Sequence, residues 1–126
     1  MFEADSPQWG PSVGKVRVCV ADDCLEVADV LCEGLRLHNY NAFAVHTGRE
    51  ALNACQNGGV DLILLDINLP DMSGYDVCAL LKENPATRDI VVIFVTVRGA
   101  AHDVEKGFRV GAADYIHKPA RLPHNL

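Results

Sequence analysis

Three short runs constrain this chain most: Val16-Arg17-Val18-Cys19-Val20-Ala21, Leu62-Ile63-Leu64-Leu65 and Ile90-Val91-Val92-Ile93-Phe94-Val95. They are apolar at nearly successive positions, not at alternate ones, which suits strands covered on both faces. Helical spacing fills the intervals between them. Val27, Val30, Leu31, Gly34, Leu35 and His38 mark a helix from about Leu25 to His38, with Asp23 placed to cap its first turn. Asn39-Tyr40-Asn41 reads as a turn, Ala42 to Val45 as a short strand, and Gly48 to Asn57 as a second helix stopped by Gly58-Gly59. The strand Leu62 to Asp66 precedes a third helix that follows Ser73-Gly74, carries Tyr75, Cys78, Leu81 and Lys82 in register, and breaks at Pro85. The run from Ile90 ends in Thr96. A fourth helix spans about Ala101 to Val110, closed by Gly111, and a last strand, Asp114 to His117, leads into Lys118-Pro119.

Strict alternation of such strands and helices calls for a doubly wound α/β fold, a parallel sheet with helices on both faces. Ligands of these sheets bind at the carboxyl ends of the strands, near the point where the strand order reverses. That rule gathers Asp22 and Asp23, Asp66, Thr96 and Lys118 at one rim. Packing needs no acids there, and three carboxylates at one edge repel unless a cation or a proton relieves them. The pattern therefore points to a bound metal ion.

At 126 residues the chain is one domain, large enough for a core without staples. Its net charge of −6 argues against gripping nucleic acid directly, since phosphate contacts need clustered Lys and Arg. Cys19, Cys24, Cys32, Cys55 and Cys78 form no C-x-x-C pair and read as reduced thiols, mostly core filler, Cys24 included. No apolar stretch approaches the roughly 20 residues that span a bilayer, and no secretory segment opens the chain. A cytoplasmic domain is expected. Residues 1–15, with Ser6-Pro7, Gly10-Pro11 and Gly14 and no hydrophobic period, read as a flexible leader, and the domain is expected over 16–126.

Four segments in order, Val20-Ala21-Asp22-Asp23, Leu64-Leu65-Asp66-Ile67-Asn68-Leu69-Pro70-Asp71-Met72-Ser73-Gly74, Phe94-Val95-Thr96 and Gly111-Ala112-Ala113-Asp114-Tyr115-Ile116-His117-Lys118-Pro119, closely resemble receiver domains of bacterial two-component response regulators. The resemblance runs from about Val16 to Pro119. It implies a flavodoxin-like sheet of five strands in the order 2-1-3-4-5. It also implies that Asp66 accepts a phosphoryl group from a phosphohistidine on a sensor histidine kinase or phosphotransfer protein, forming an acyl phosphate. Asp22, Asp23, Asp66 and the backbone carbonyl of Asn68 would then hold Mg²⁺, Asp23 directly and Asp22 through water, an oxygen set of the kind that ion prefers. Lys118 and Thr96 would offset charge on the phosphoryl oxygens. Thr96 and Tyr115 would form the switch, Tyr115 turning inward as the phosphoryl group draws the threonine. The Lys118-Pro119 bond resembles a family position that is cis.

Bland readings stand beside these: a capping or loop aspartate at 66, an N-cap at Asp23, a solvated Lys118, and an ordinary half-buried aromatic at Tyr115. Val97 stands where the family usually carries alanine or glycine, and Asn68 and Arg98 occupy variable flanking positions that gate the attacking water, so slow self-dephosphorylation is expected. The chain is expected to catalyse only its own phosphorylation and dephosphorylation. After Pro119 few residues remain for the family's fifth helix, expected to start near Pro123, which suggests a domain cut from a longer protein with an output domain; the uncovered sheet would favour a homodimer. Asn84 to Ile90 and Asp103 to Phe108 resemble receivers fused to cyclic-dinucleotide enzymes or hybrid histidine kinases. Two rival classes are an aspartyl-phosphate hydrolase, which normally has an acid two residues past the nucleophile where this chain has Asn68, and a phosphate-independent interaction module, which would lack the acids or the lysine. No G-x-G-x-x-G follows the first strand to support dinucleotide binding.

Overall fold

The computed structural model describes residues 15–96 and 101–118, apart from the side chains of Thr96, residues 101–104 and His117. Its elements run β1 (Arg17–Ala21), α1 (Leu25–Leu37), β2 (Asn41–Val45), α2 (Gly48–Gln56), β3 (Leu62–Leu65), α3 (Gly74–Glu83), β4 (Val91–Thr96), α4 (Ala101–Arg109) and β5 (Asp114–His117). Every strand pair is parallel and the spatial order is β2-β1-β3-β4-β5, the doubly wound order expected. The order reverses at β1, so the crevice opens beyond the carboxyl ends of β1 and β3. Boundaries differ from the sequence reading by a residue or so: Asn41 opens β2 instead of closing the turn, and buried Ile90 lies just before β4.

The period-2 alternation of β1 sends its residues to two separate cores. Val18 and Val20 pack with Ala28 and Cys32 of α1 on one face. Cys19 and Ala21 face the other side, with Ala51 and Cys55 of α2 and Val77, Cys78 and Leu81 of α3. Ile63, Leu65 and Phe94 are wholly enclosed in this larger core, and burial of each such side chain contributes about 1.5–3 kcal/mol. Coverage on both faces explains why these strands carry no polar alternation.

Local chemistry fixes where the helices begin and end. Thr47 Oγ1 accepts the Glu50 N–H at 3.0 Å to cap α2, and Ser73 Oγ accepts the Tyr75 N–H at 3.1 Å to cap α3. Gly58 and Gly59, at φ 92° and 86°, end the α2 segment in the left-handed region that glycine enters without cost. Asn84, extended at φ −96° and ψ 121°, ends α3 before Pro85 as the proline requires.

Two expectations are corrected. Asp23 does not cap α1: the Ala28 N–H returns to the Cys24 carbonyl, so Cys24 is the N-cap, and its side chain makes no capping bond. Asp23 stands one position too early for the role. Cys24 is exposed rather than core filler, whereas Cys19, Cys32, Cys55 and Cys78 are buried as expected. The leader, the Val97 and Arg98 positions, the Lys118-Pro119 bond and the start of a fifth helix near Pro123 lie outside the described residues. No helix among the described residues is long and apolar enough to cross a membrane.

Candidate functional site

Backbone pairing carries the acids to one place. The β1–β3 register sets Ala21 opposite Leu65, and the Asp66 N–H continues the ladder to the Ala21 carbonyl at 2.9 Å. Asp66 therefore stands beside Asp22, just past the strand ends. Carboxylate oxygens of Asp22, Asp23 and Asp66 lie within 4.8 Å of one another. Asp22 and Asp66 are only 2% and 8% exposed, so their charges need partners inside the protein, whereas Asp23 faces solvent.

Lys118, which follows β5, supplies one such partner. Its ammonium donates to Asp22 Oδ2 at 2.5 Å and to Asp66 Oδ2 at 3.3 Å. Burial works against the Lys118 charge, but the hydrogen bond to Asp22 and the nearby Asp66 charge outweigh it and hold the ammonium above the ordinary lysine range. Burial pushes the Asp66 carboxyl up from its ordinary value; the Lys118 charge opposes that, the Asp22 charge adds to it, and the Asn68 N–H, 3.4 Å from Oδ1, opposes it weakly. Among the described residues, three carboxylates against one ammonium leave two negative charges in surplus. A divalent cation with a preference for oxygen ligands matches that surplus in charge and in chemistry.

Every hydrogen-bonding group of Asp22 is occupied. Its N–H donates to the Val45 carbonyl, its carbonyl accepts from His46 Nδ1, and its Oδ1 accepts from the Cys24 N–H, each at 3.0 Å. With Lys118 on Oδ2, four different residues hold it. The loop after Asp66 is held as closely. The Gly74 N–H donates to the Ile67 carbonyl at 2.7 Å, and a Cβ placed on Gly74 would stand 2.2 Å from the Asp66 carbonyl oxygen. Only glycine allows α3 to begin this near the acid.

Asp71, from the same loop, reaches across to α2. Its two carboxylate oxygens accept the Gly48 N–H at 2.7 Å and the Arg49 N–H at 2.9 Å, and those two bonds hold its carboxyl below the ordinary range. The sequence marked Asp71 only as a loop residue and did not mark His46. The Thr47-x-x-Glu50 spacing is a further sequence signal that α2 starts here, beside the Gly48 start already read. A contact to a main-chain carbonyl leaves no signature in residue types.

Of the remaining site residues named from sequence, Thr96 ends β4 at the same rim, and its side chain is outside the described set. Asn68 follows Asp66 and pairs with Ser73 in an isolated bridge. Tyr115 is half-buried on β5 against Phe94, ring centroids 5.8 Å apart, and Phe94 lies 5.2 Å from Tyr75. A Cβ on Gly107 of α4 would meet both the Phe94 and Tyr115 rings at 3.0–3.2 Å, so α4 packs directly on this aromatic row.

A family model for the response regulator receiver domain matches residues 18–124. The chain belongs to that family, the receivers of two-component signal transduction. It is 38% identical over 111 residues to a "Probable cyclic di-GMP phosphodiesterase" of Vibrio cholerae, an alignment covering 88% of this chain and 25% of that protein. The chain spans between a quarter and a half of the length of such curated relatives. Among solved structures it resembles the "BeF3 Activated DrrB Receiver Domain", with a TM-score of 0.75 and 31% identity over 85% of this chain and 87% of that one. It also resembles the Mn(2+)-bound form of response regulator Rcp1, with a TM-score of 0.76 and 25% identity over 85% of this chain and 84% of that one.

Proposed function

We propose that this receiver is a phosphoacceptor in which Asp66 takes a phosphoryl group from the phosphohistidine of a sensor histidine kinase or phosphotransfer protein. The observation that carries this reading is the set of Asp22, Asp23 and Asp66 oxygens within 4.8 Å, with the Lys118 ammonium 3.3 Å from Asp66. An Asp66 carboxylate oxygen attacks phosphorus, the histidine N–P bond breaks with its electron pair leaving on the ring, and an acyl phosphate forms. Lys118 faces the oxygen side of Asp66 and balances charge gathering on the phosphoryl group, while Thr96 offers its hydroxyl from the end of β4. Asp22, held by four residues, and solvent-facing Asp23 would hold Mg²⁺ together with Asp66 and the Asn68 carbonyl. The chemistry such an ion would supply when bound is neutralisation of charge on the transferring oxygens.

Support comes from two similar receivers, one in a BeF3-activated state and one in a Mn(2+)-bound form. Asn at position 68, where a hydrolase would normally place its second acid, favours a stored acyl phosphate over turnover of external substrates. Thr96 and Tyr115 act as the switch, with the Phe94–Tyr115 row and Gly107 carrying the change to α4. The domain spans 16–126 behind a leader at 1–15, works in the cytoplasm, touches no nucleic acid or membrane itself, and controls an output domain in a longer protein. Phe108 and Ile116, both exposed on α4 and β5, offer a face for a homodimer. The similarity to a cyclic di-GMP phosphodiesterase accords with an output of that class.

The test is intact-protein mass after incubation with Mg²⁺ and a small phosphoryl donor, for the wild-type chain and for Asp66→Asn. One phosphoryl group should appear on the wild type, vanish with chelator, and be absent from Asp66→Asn. A folded wild-type chain that gains none would instead mark a module that signals without phosphate.

A further inference from the structure

We propose that His46 is a positioning residue for the acid pair Asp22-Asp23, holding the peptide between them so that both carboxylates meet a divalent cation; this rests on the metal reading of the site above. His46 Nδ1 lies 3.0 Å from the Asp22 carbonyl oxygen. A carbonyl only accepts, so Nδ1 carries the proton and donates. That oxygen belongs to the planar peptide joining Asp22 to Asp23; with the Asp22 Cα held by the N–H bond to Val45 and the side-chain bonds to Cys24 and Lys118, fixing the oxygen sets the rotation of the peptide plane and so places the nitrogen from which Asp23 departs. Asp22 has other restraints on its side chain and its own N–H. Asp23 is exposed, so packing does little to aim it, and the orientation of the preceding plane sets its direction.

The ring can serve this purpose because the backbone that carries it is anchored. The His46 N–H donates to Glu50 Oε1 at 2.8 Å. Two and three residues on, the Gly48 and Arg49 N–H groups are taken by Asp71. The imidazole thus projects from a segment tied both to the helix that follows it and to the loop after Asp66, an outer layer of the kind that orients metal ligands.

The test compares Mg²⁺ affinity by calorimetry for wild type, His46→Ala, His46→Asn and His46→Gln, with the thermal midpoint of each metal-free protein measured alongside. The asparagine amide nitrogen sits where Nδ1 sits along the side chain, whereas the glutamine amide reaches toward the Nε2 position. Loss of one hydrogen bond should weaken Mg²⁺ binding by about 2- to 10-fold in His46→Ala. His46→Asn should restore it and His46→Gln should not. A purely structural histidine would lower the metal-free midpoint and leave Mg²⁺ affinity unchanged, which overturns the inference, as does equal rescue by Asn and Gln. A wild-type chain that takes up no Mg²⁺ overturns the metal reading itself and this inference with it.

Discussion

Gly74 begins α3 so close to Asp66 that a Cβ on it would stand 2.2 Å from the Asp66 carbonyl oxygen and 2.9 Å from the Ile67 Cα. Both obstacles are backbone, which cannot rotate aside. Gly74→Ala should therefore force the Asp66 loop away from α3 and destabilise the protein by about 1–3 kcal/mol, the range for overpacked sites. Urea unfolding of the two proteins checks this, and unchanged midpoints would show that the loop yields freely.

Asp66→Asn should stabilise the metal-free protein near neutral pH. Burial raises the folded-state value of the Asp66 carboxyl, so the fold disfavours its charged form. Below the unfolded value of about 4, both states hold the proton and the cost is absent. It grows as pH rises through the folded value. In chelator, the thermal midpoint of Asp66→Asn should exceed that of wild type at pH 7, and the gap should close on acidification toward pH 4. A wild type that is the more stable of the two at pH 7 would mean that Lys118 outweighs burial.

Mg²⁺ should raise the thermal midpoint, because it binds the folded acid cluster and not the dispersed acids of the unfolded chain. At one hundred times the dissociation constant the gain is about 2.7 kcal/mol. Asp23 is exposed and caps no helix, so Asp23→Asn should leave the metal-free midpoint nearly in place while removing most of the Mg²⁺ response. Scanning calorimetry with Mg²⁺ or chelator separates the two effects.

The Asp71 carboxylate takes two N–H groups at the start of α2, and those bonds depress its folded-state value. Stability from this contact is present above the unfolded carboxyl value and is lost as pH falls through the folded one. Asp71→Ala should lower the urea midpoint at pH 7, with the difference from wild type shrinking in acid. Parallel curves from pH 7 down to pH 3 would assign the loss to packing rather than to the charged cap.

The element order was legible because hydrophobic periodicity is a property of near neighbours. Runs apolar on both faces, as at Leu62 to Leu65, require cover on two sides, and spacing such as Val27-Leu31-Leu35 provides it. Asp22, Asp23, Asp66 and Lys118 could be placed at one rim because parallel strands all point their carboxyl ends the same way. Asp23 was misread as a cap because Asp is a good N-cap by type, and only the Ala28-to-Cys24 bond shows where α1 begins.

Residue types and spacing alone thus determined a parallel α/β sheet with acids and a lysine on its binding edge. Tertiary structure decided that Lys118 closes on both Asp22 and Asp66, that Asp71 caps a helix beginning 23 residues before it, and that His46 grips the peptide between the two acids. These contacts run between segments distant in the chain and largely to main-chain groups, which every residue carries alike. Their partners follow from strand register and loop path, and neither is written in the identity of the side chains.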